Sequence, residues 1–274
     1  MRYISYTHAS RASFGALLSE TLVADLGSTA VPDLATALAG PMPDTTDAPR
    51  LDLADVTLLP VIPRPSKIFC VGHNYEDHRI ETDGPRVGHP SIFTRFADTL
   101  VAHKAPIILP SVSTMLDYEG ELAIVIGKAG RHIAERDAMA HIAGYCAAND
   151  ATVRDWQRHT GQFTPGKNFP STGGLGPWLV TPEEIADFDA VTLTTRLNGT
   201  IMQHASLGQL IFPVPTIIAY VSAFTPLSPG DVIMTGTPGG VGARREPPVW
   251  MVPGDVVTVD IAGIGELSNP IVAE

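Results

Sequence analysis

Two glutamates one residue apart, Glu119 and Glu121, open an apolar run, DYEGELAIVIGK from Asp117 to Lys128. The run reads as a β-strand: Ala123, Ile124, Val125 and Ile126 are apolar and Gly127 ends it. Side chains alternate across a strand, so both acids share one face while Leu122, Ile124 and Ile126 take the other. Two carboxylates together at the head of an apolar strand repel unless a positive charge lies between them. A divalent cation is the simplest such charge. A third acid, Asp150, ends a second apolar run, HIAGYCAAND from His141. No cysteine or histidine cluster accompanies the three, so the donors are hard oxygens that favour Mg²⁺, Mn²⁺ or Ca²⁺ over Zn²⁺. Alone, Glu-x-Glu also describes the solvated face of a strand. The other reactive groups of the chain are what give the metal reading weight.

His78 and Glu81 lie in GHNYEDHRIETDG. Tyr75–Glu81 reads as a short helix stopped by Asp83-Gly84-Pro85. At i and i+3 the two side chains share a face, which sets a carboxylate beside an imidazole, as a general base requires. The same spacing describes an exposed helical pair. Lys167 sits in a Gly/Pro-rich stretch, residues 161–176, read as a long loop. Such a lysine is ordinarily solvated; beside a carboxylate–metal site it would anchor an anion. TGTPGGVG, Thr235–Gly242, is a glycine-rich loop whose N–H groups would cradle a carboxylate or phosphate. It fits neither the P-loop nor the dinucleotide fingerprint. Arg95, on the strand-like PSIFTRF, adds a cation and is a candidate for substrate binding.

The elements that must hold these groups read as β-rich. The chain has 274 residues, with 25 glycines and 24 prolines to make turns. Its net charge of −11 argues against nucleic acid or an anionic membrane as partner. Cys70 and Cys146 each lie in an apolar run and read as buried free thiols. The start, MRYISYTHASRASFG, lacks an apolar leader segment, and no apolar run is long enough to span a bilayer, so a cytoplasmic location is expected. Residues 1–62 read as a small cap with short strands and a helix over Pro32–Leu38, joined through the stiff Pro60–Pro65 to a larger catalytic unit, residues 66–274. Asn198-Gly199 marks a hairpin, Pro215–Ala223 a helix, and Val256–Ile261 with Gly265–Val272 a closing hairpin.

Several of these motifs, in this order, resemble the fumarylacetoacetate hydrolase family in its small bacterial form. They are CVGHNYEDH (Cys70–His78), DYEGELAIVIGK, AGYCAANDATVRDWQ (Ala143–Gln157), GKNF with LGPWLVT (Gly166–Thr181), PGDVIMTGTPGGVG (Pro229–Gly242) and PGDVVTVDIAGIGELSNPIV. The resemblance implies a mainly β fold with some α, a mixed β-sandwich roll with a small N-terminal α/β cap, and a homodimer or dimer of dimers. It implies Mg²⁺ or Mn²⁺ on Glu119, Glu121 and Asp150, catalytic His78, Glu81 and Lys167, and Gln157, Gly236 and Thr237 near the substrate. The expected substrate is a small anionic oxo acid. The expected reaction is hydrolysis of a carbon–carbon bond in an acylpyruvate or β-diketo acid. The alternative is decarboxylation, isomerisation or tautomerisation of a 2-oxo acid through the same metal–enolate chemistry. His73 and PSTGG (Pro170–Gly174) depart from the family pattern, and the tyrosine some hydrolases carry after the glutamine is absent near Gly161.

Overall fold

A computed structural model describes all 274 residues. The fold is mainly β, as the resemblance implies. A mixed sheet of twelve strands forms its backbone, and a second sheet of five strands packs against its centre. The acidic strand, Gly120–Ile126, runs through the middle of the large sheet, between Ile142–Asn149 and Val232–Met234. Beyond Val232–Met234 come the parallel strand Ile68–Gly72 and the edge strand Ser91–Thr94.

Gly120–Ile126 is buried along its whole length. Its even positions, Leu122, Ile124 and Ile126, join the core against the small sheet and the helix Val214–Phe224. Ala123 and Val125 join a second core on the opposite face, with Cys70, Cys146 and Met234. Period-2 alternation thus divides the strand between two apolar interiors. Glu119 and Glu121 continue the Ala123/Val125 column past the point where those interiors end.

The N-terminal strands belong to the same sheet. Arg2–His8 pairs with Gly173–Val180, setting Arg2 opposite Val180, and the strands Arg11–Leu17, Leu22–Asp25 and Arg50–Asp52 extend the sheet outward. Phe14, Leu34 and Ile62 pack into the same core as Ala123 and Val125. No helix is long and apolar enough to cross a membrane. Both cysteines are buried and free, as expected.

Two readings are corrected. Asp117–Lys128 is not one continuous strand. Leu116–Asp117 pairs with Thr152–Val153, the chain then breaks, and a new strand begins at Gly120. Glu119 lies in that break. Residues 161–176 are not one long loop either: they hold the short helix Thr164–Lys167 and the start of the strand Gly173–Val180. Glycines that read as loop serve close packing here. A Cβ on Gly173 would lie 2.7 Å from the Arg95 guanidinium, and one on Gly174 2.9 Å from Leu267 and Asn269. The hairpin at Asn198-Gly199 forms as expected, both residues taking positive φ (51° and 81°).

Candidate active site

Glu119, Glu121 and Asp150 meet at the end of the central sheet, with one oxygen from each within 4.8 Å of the others. All three are buried. Cations flank them. Lys167 Nζ donates to Glu119 Oε2 at 2.7 Å and to Asp150 Oδ2 at 2.5 Å. Arg154 holds Glu119 Oε1 at 2.6 Å and Asp117 Oδ2 at 2.8 Å. Arg95 donates to Asp150 Oδ1 at 2.6 Å and to the Ala151 carbonyl at 3.0 Å. Glu121 has no such partner; its Oε2 accepts only the Gly236 N–H, at 2.7 Å.

This arrangement separates the acids electrostatically. Burial alone would raise Glu119, but the adjacent charges of Lys167 and then Arg154 hold its carboxyl well below the usual range. Glu121 is pushed well above it, first by burial and then by the charges of Asp150 and Glu119. Burial opposes the charge on Lys167, yet Asp150 and Glu119 raise its pKa and keep it an ammonium. Four carboxylates, counting Asp117, face three cations, so one negative charge is left over when all are ionised.

The donor set suits a divalent ion. It is all oxygen, and ligands on opposite sides of an ion bound at about 2.1–2.4 Å stand roughly 4.2–4.8 Å apart, within the spacing found here. The surplus charge at Glu121 is the charge such an ion would neutralise.

A cavity of about 300 Å³ opens on Glu119, Glu121 and Lys167. His78 lines it from the helix Glu76–Glu81, with Nδ1 at 2.8 Å from Glu81 Oε1. Glu81 Oε2 accepts the Gly240 N–H at 2.9 Å, which ties this helix to the glycine-rich loop. With Nδ1 engaged, His78 keeps Nε2 free. His73, the departure noted in the sequence, also lines the cavity, its ring centre 5.5 Å from that of His78 and its φ 54°. Burial, and then His78, lower its pKa. Phe93 and Phe163 complete an aromatic wall, with Lys167 Nζ 5.0 Å from the Phe93 ring centre.

Gln157 and Thr237 line the cavity as well. Arg154 donates to Gln157 Oε1 at 3.0 Å, leaving the Gln157 NH₂ for a ligand. Thr237 Oγ1 donates to the Gly120 carbonyl and accepts from Gln203. Three sequence candidates stand behind the wall rather than on it. Arg95 is fully buried behind Asp150, so it serves an acid and not the substrate. Gly236 serves Glu121 with its N–H, and Glu81 serves His78. Sequence reasoning passed over Asp117 and Arg154, although both lie inside the DYEGEL and RDWQ motifs. Asp117 accepts the Gly242 and Ala243 N–H groups at 2.8 and 3.0 Å, so it anchors the glycine-rich loop beside the acids.

With the geometry in place, comparison with known proteins identifies the lineage. The model of the fumarylacetoacetate hydrolase C-terminal domain matches residues 67–272. The chain belongs to this family. It is 43% identical to oxaloacetate tautomerase fahd2 of Xenopus laevis, over 81% of this chain and 70% of that protein. It is 42% identical to oxaloacetate tautomerase YisK of Bacillus subtilis, over 80% of this chain and 74% of that protein. The solved structure of a fumarylacetoacetate hydrolase from Exiguobacterium antarcticum superposes with a TM-score of 0.88 at 36% identity, covering both chains fully.

These relatives correct the expected reaction. A vertebrate and a bacterial protein, both nearer in sequence than the structure named a hydrolase, are tautomerases. The carbon–carbon hydrolase reading is therefore abandoned for its alternative. Hydrolysis and tautomerisation of a 2-oxo acid both pass through an enolate, so residue types suited to that enolate do not by themselves separate the two reactions.

Proposed function

We propose that this protein interconverts the keto and enol forms of a 2-oxo acid, with oxaloacetate, the substrate in the names of its relatives, as the leading candidate. The observation that carries the reading is the position of His78. Held by Glu81, it opens onto the same cavity as Glu119, Glu121 and Lys167. Tautomerisation needs only two proton movements: one leaves the carbon next to the carbonyl and one arrives on the carbonyl oxygen. No bond in the carbon skeleton breaks.

His78 Nε2 takes the carbon-bound proton, and Glu81 stabilises the imidazolium that results. The same nitrogen returns a proton to the oxygen, which leaves the enzyme unchanged. Lys167 stays charged and offsets the negative charge that forms on the substrate. Gln157 and Thr237 offer polar groups that fix the substrate's orientation. Glu119, Glu121 and Asp150 would hold Mg²⁺ or Mn²⁺, which would supply Lewis acidity that favours the enolate.

The test follows the ultraviolet absorbance of enol-oxaloacetate with Mg²⁺ present. The reading expects faster conversion to the keto form, with oxaloacetate recovered intact. Release of CO₂ and pyruvate in step with the absorbance change would replace it with a decarboxylase.

A further inference from the structure

The cavity is electrically two-ended. Its inner end carries Glu119, Glu121 and Lys167. Its mouth carries two exposed arginines, Arg158 and Arg244. These differ from the arginines further in. Arg95 and Arg154 are locked onto buried carboxylates. Arg158, the residue that caps the helix Arg154–Gln157, has no carboxylate partner, and its guanidinium makes no hydrogen bond within the chain. Arg244, on the short turn Gly242–Arg244, also lacks an acid and donates only to the Thr82 carbonyl, at 3.0 Å. The mouth therefore presents two guanidinium groups with no carboxylate paired to them, and burial followed by the like charges of Arg154 and Arg244 lowers the pKa of Arg158.

We propose that Arg158 and Arg244 bind the second carboxylate of a dicarboxylate ligand whose 2-oxo acid head lies at the Glu119–Glu121–Lys167 end. The assignment rests on the 2-oxo acid reading for the orientation of the head. Guanidinium forks match a carboxylate with paired, charge-assisted hydrogen bonds, and two forks without an acid partner in one cavity wall make a receptor for a doubly charged acid. A cavity of about 300 Å³ accommodates a four-carbon diacid and its water.

Arg244 adds a link to catalysis. Thr82, whose carbonyl it holds, caps the helix that carries His78, and Thr82 Oγ1 donates to the His78 carbonyl at 2.6 Å. A carboxylate gripped by Arg244 therefore also steadies the His78 helix. A ligand lacking the second carboxylate forgoes both the contact and the steadying. The two arginines are recognition and positioning residues; neither touches the reacting atoms.

The experiment uses calorimetric titration of the Mg²⁺-loaded protein with malate and with lactate. These share a 2-hydroxy acid head and differ in the second carboxylate. The wild type should bind malate at least about tenfold more tightly than lactate. Arg158→Gln and Arg244→Gln should each lower malate affinity by about tenfold, leave lactate affinity unchanged and keep Mg²⁺ affinity at the wild-type level. Arg158→Lys should recover part of the malate preference. In the oxaloacetate assay Arg158→Gln should raise KM alone, whereas Arg244→Gln should also lower kcat. Equal malate and lactate binding by the wild type would overturn the proposal, as would equal weakening of both ligands in the variants. A malate preference abolished by the variants, in a protein that never tautomerises oxaloacetate, would sink the tautomerase reading and leave the arginines assigned. Turnover without a malate preference would do the reverse.

Discussion

Glu121 is the one acid of the site that no cation of the chain pairs with directly, and this gives it a testable pH signature. Unfolded, it ionises near the usual 4.5; folded and metal-free, it ionises well above that. A raised carboxyl favours the folded state below the unfolded value, and that benefit is lost as pH rises through the folded value. Metal-free protein should therefore lose stability as pH rises above about 4.5. Glu121→Gln should flatten that profile and raise the melting temperature at pH 7 by about 3 °C. The same change should weaken Mg²⁺ binding, and a calorimetric titration showing undiminished affinity would remove Glu121 from the ligand set. Lys167 predicts the complementary behaviour. Lys167→Met leaves Glu119 and Asp150 facing each other without their shared ammonium, at a cost of about 3–5 kcal/mol. Mg²⁺ should restore more of the melting temperature in this variant than it adds to the wild type. At this scale the sequence was informative where the chemistry is local: Glu119 and Glu121, or His78 and Glu81, stand within a turn or a strand step of each other. It was silent on ion pairs closed by the fold. Arg95 meets Asp150 across 55 residues and Arg154 meets Asp117 across 37, and no local pattern announces either pairing.

Short elements set the side chains that matter. The helix Thr164–Lys167 lies against Arg154–Gln157 so closely that a Cβ on Gly166 would sit 2.4 Å from the Gln157 backbone nitrogen. Backbone at that distance has nowhere to go. Gly166→Ala should push the helix outward, move Lys167 off the acids and lower kcat by about 10²-fold, since a displacement near 1 Å costs that much. Wild-type kcat in that variant would show that the two helices can part without consequence. The helix Glu76–Glu81 is fixed at its far end by the bond between Glu81 and Gly240. Glu81→Gln should lower kcat more than it changes KM, with Mg²⁺ affinity unchanged, because it acts through the orientation of His78. His78→Ala should abolish turnover and also spare Mg²⁺ binding; parallel loss of both would contradict its role as a base. Helices and hairpins with strong local signals were legible: Glu76–Glu81, Val214–Phe224 and the Asn198-Gly199 hairpin all form where the sequence points. The strand Gly173–Val180 was not, because the glycines that admit the neighbouring Arg95 and Leu267 look like loop residues when read along the chain.

Across the whole molecule, residues 1–62 and the catalytic strands share one apolar interior. Phe14, Leu34 and Ile62 pack with Cys70, Ala123, Val125 and Met234. Residues 66–274 produced alone should expose that face, and a thermal scan should show no cooperative transition. A sharp transition near that of the full chain would show that the catalytic unit closes its own core. The order of strands in the large sheet lay beyond sequence reading for the same reason as the distant ion pairs. Arg2 pairs with Val180, and nothing in the composition of either segment names the other as its partner. What the sequence did carry is the alternation that buries both faces of Gly120–Ile126 and leaves its acids at one end.

That double burial bears on how a protein of this kind can change over generations. Glu121 stands on a strand wedged between two interiors, with Glu119 just before it, where almost any replacement disturbs packing on one side or the other. The arginines at the mouth stand on exposed turns, where most replacements are tolerated. Mutational tolerance is therefore lowest around the acids and highest at the mouth of the cavity. A lineage built this way can alter its diet one surface residue at a time while its reaction stays the same, and a laboratory seeking a new substrate for this protein would start at Arg158 and Arg244.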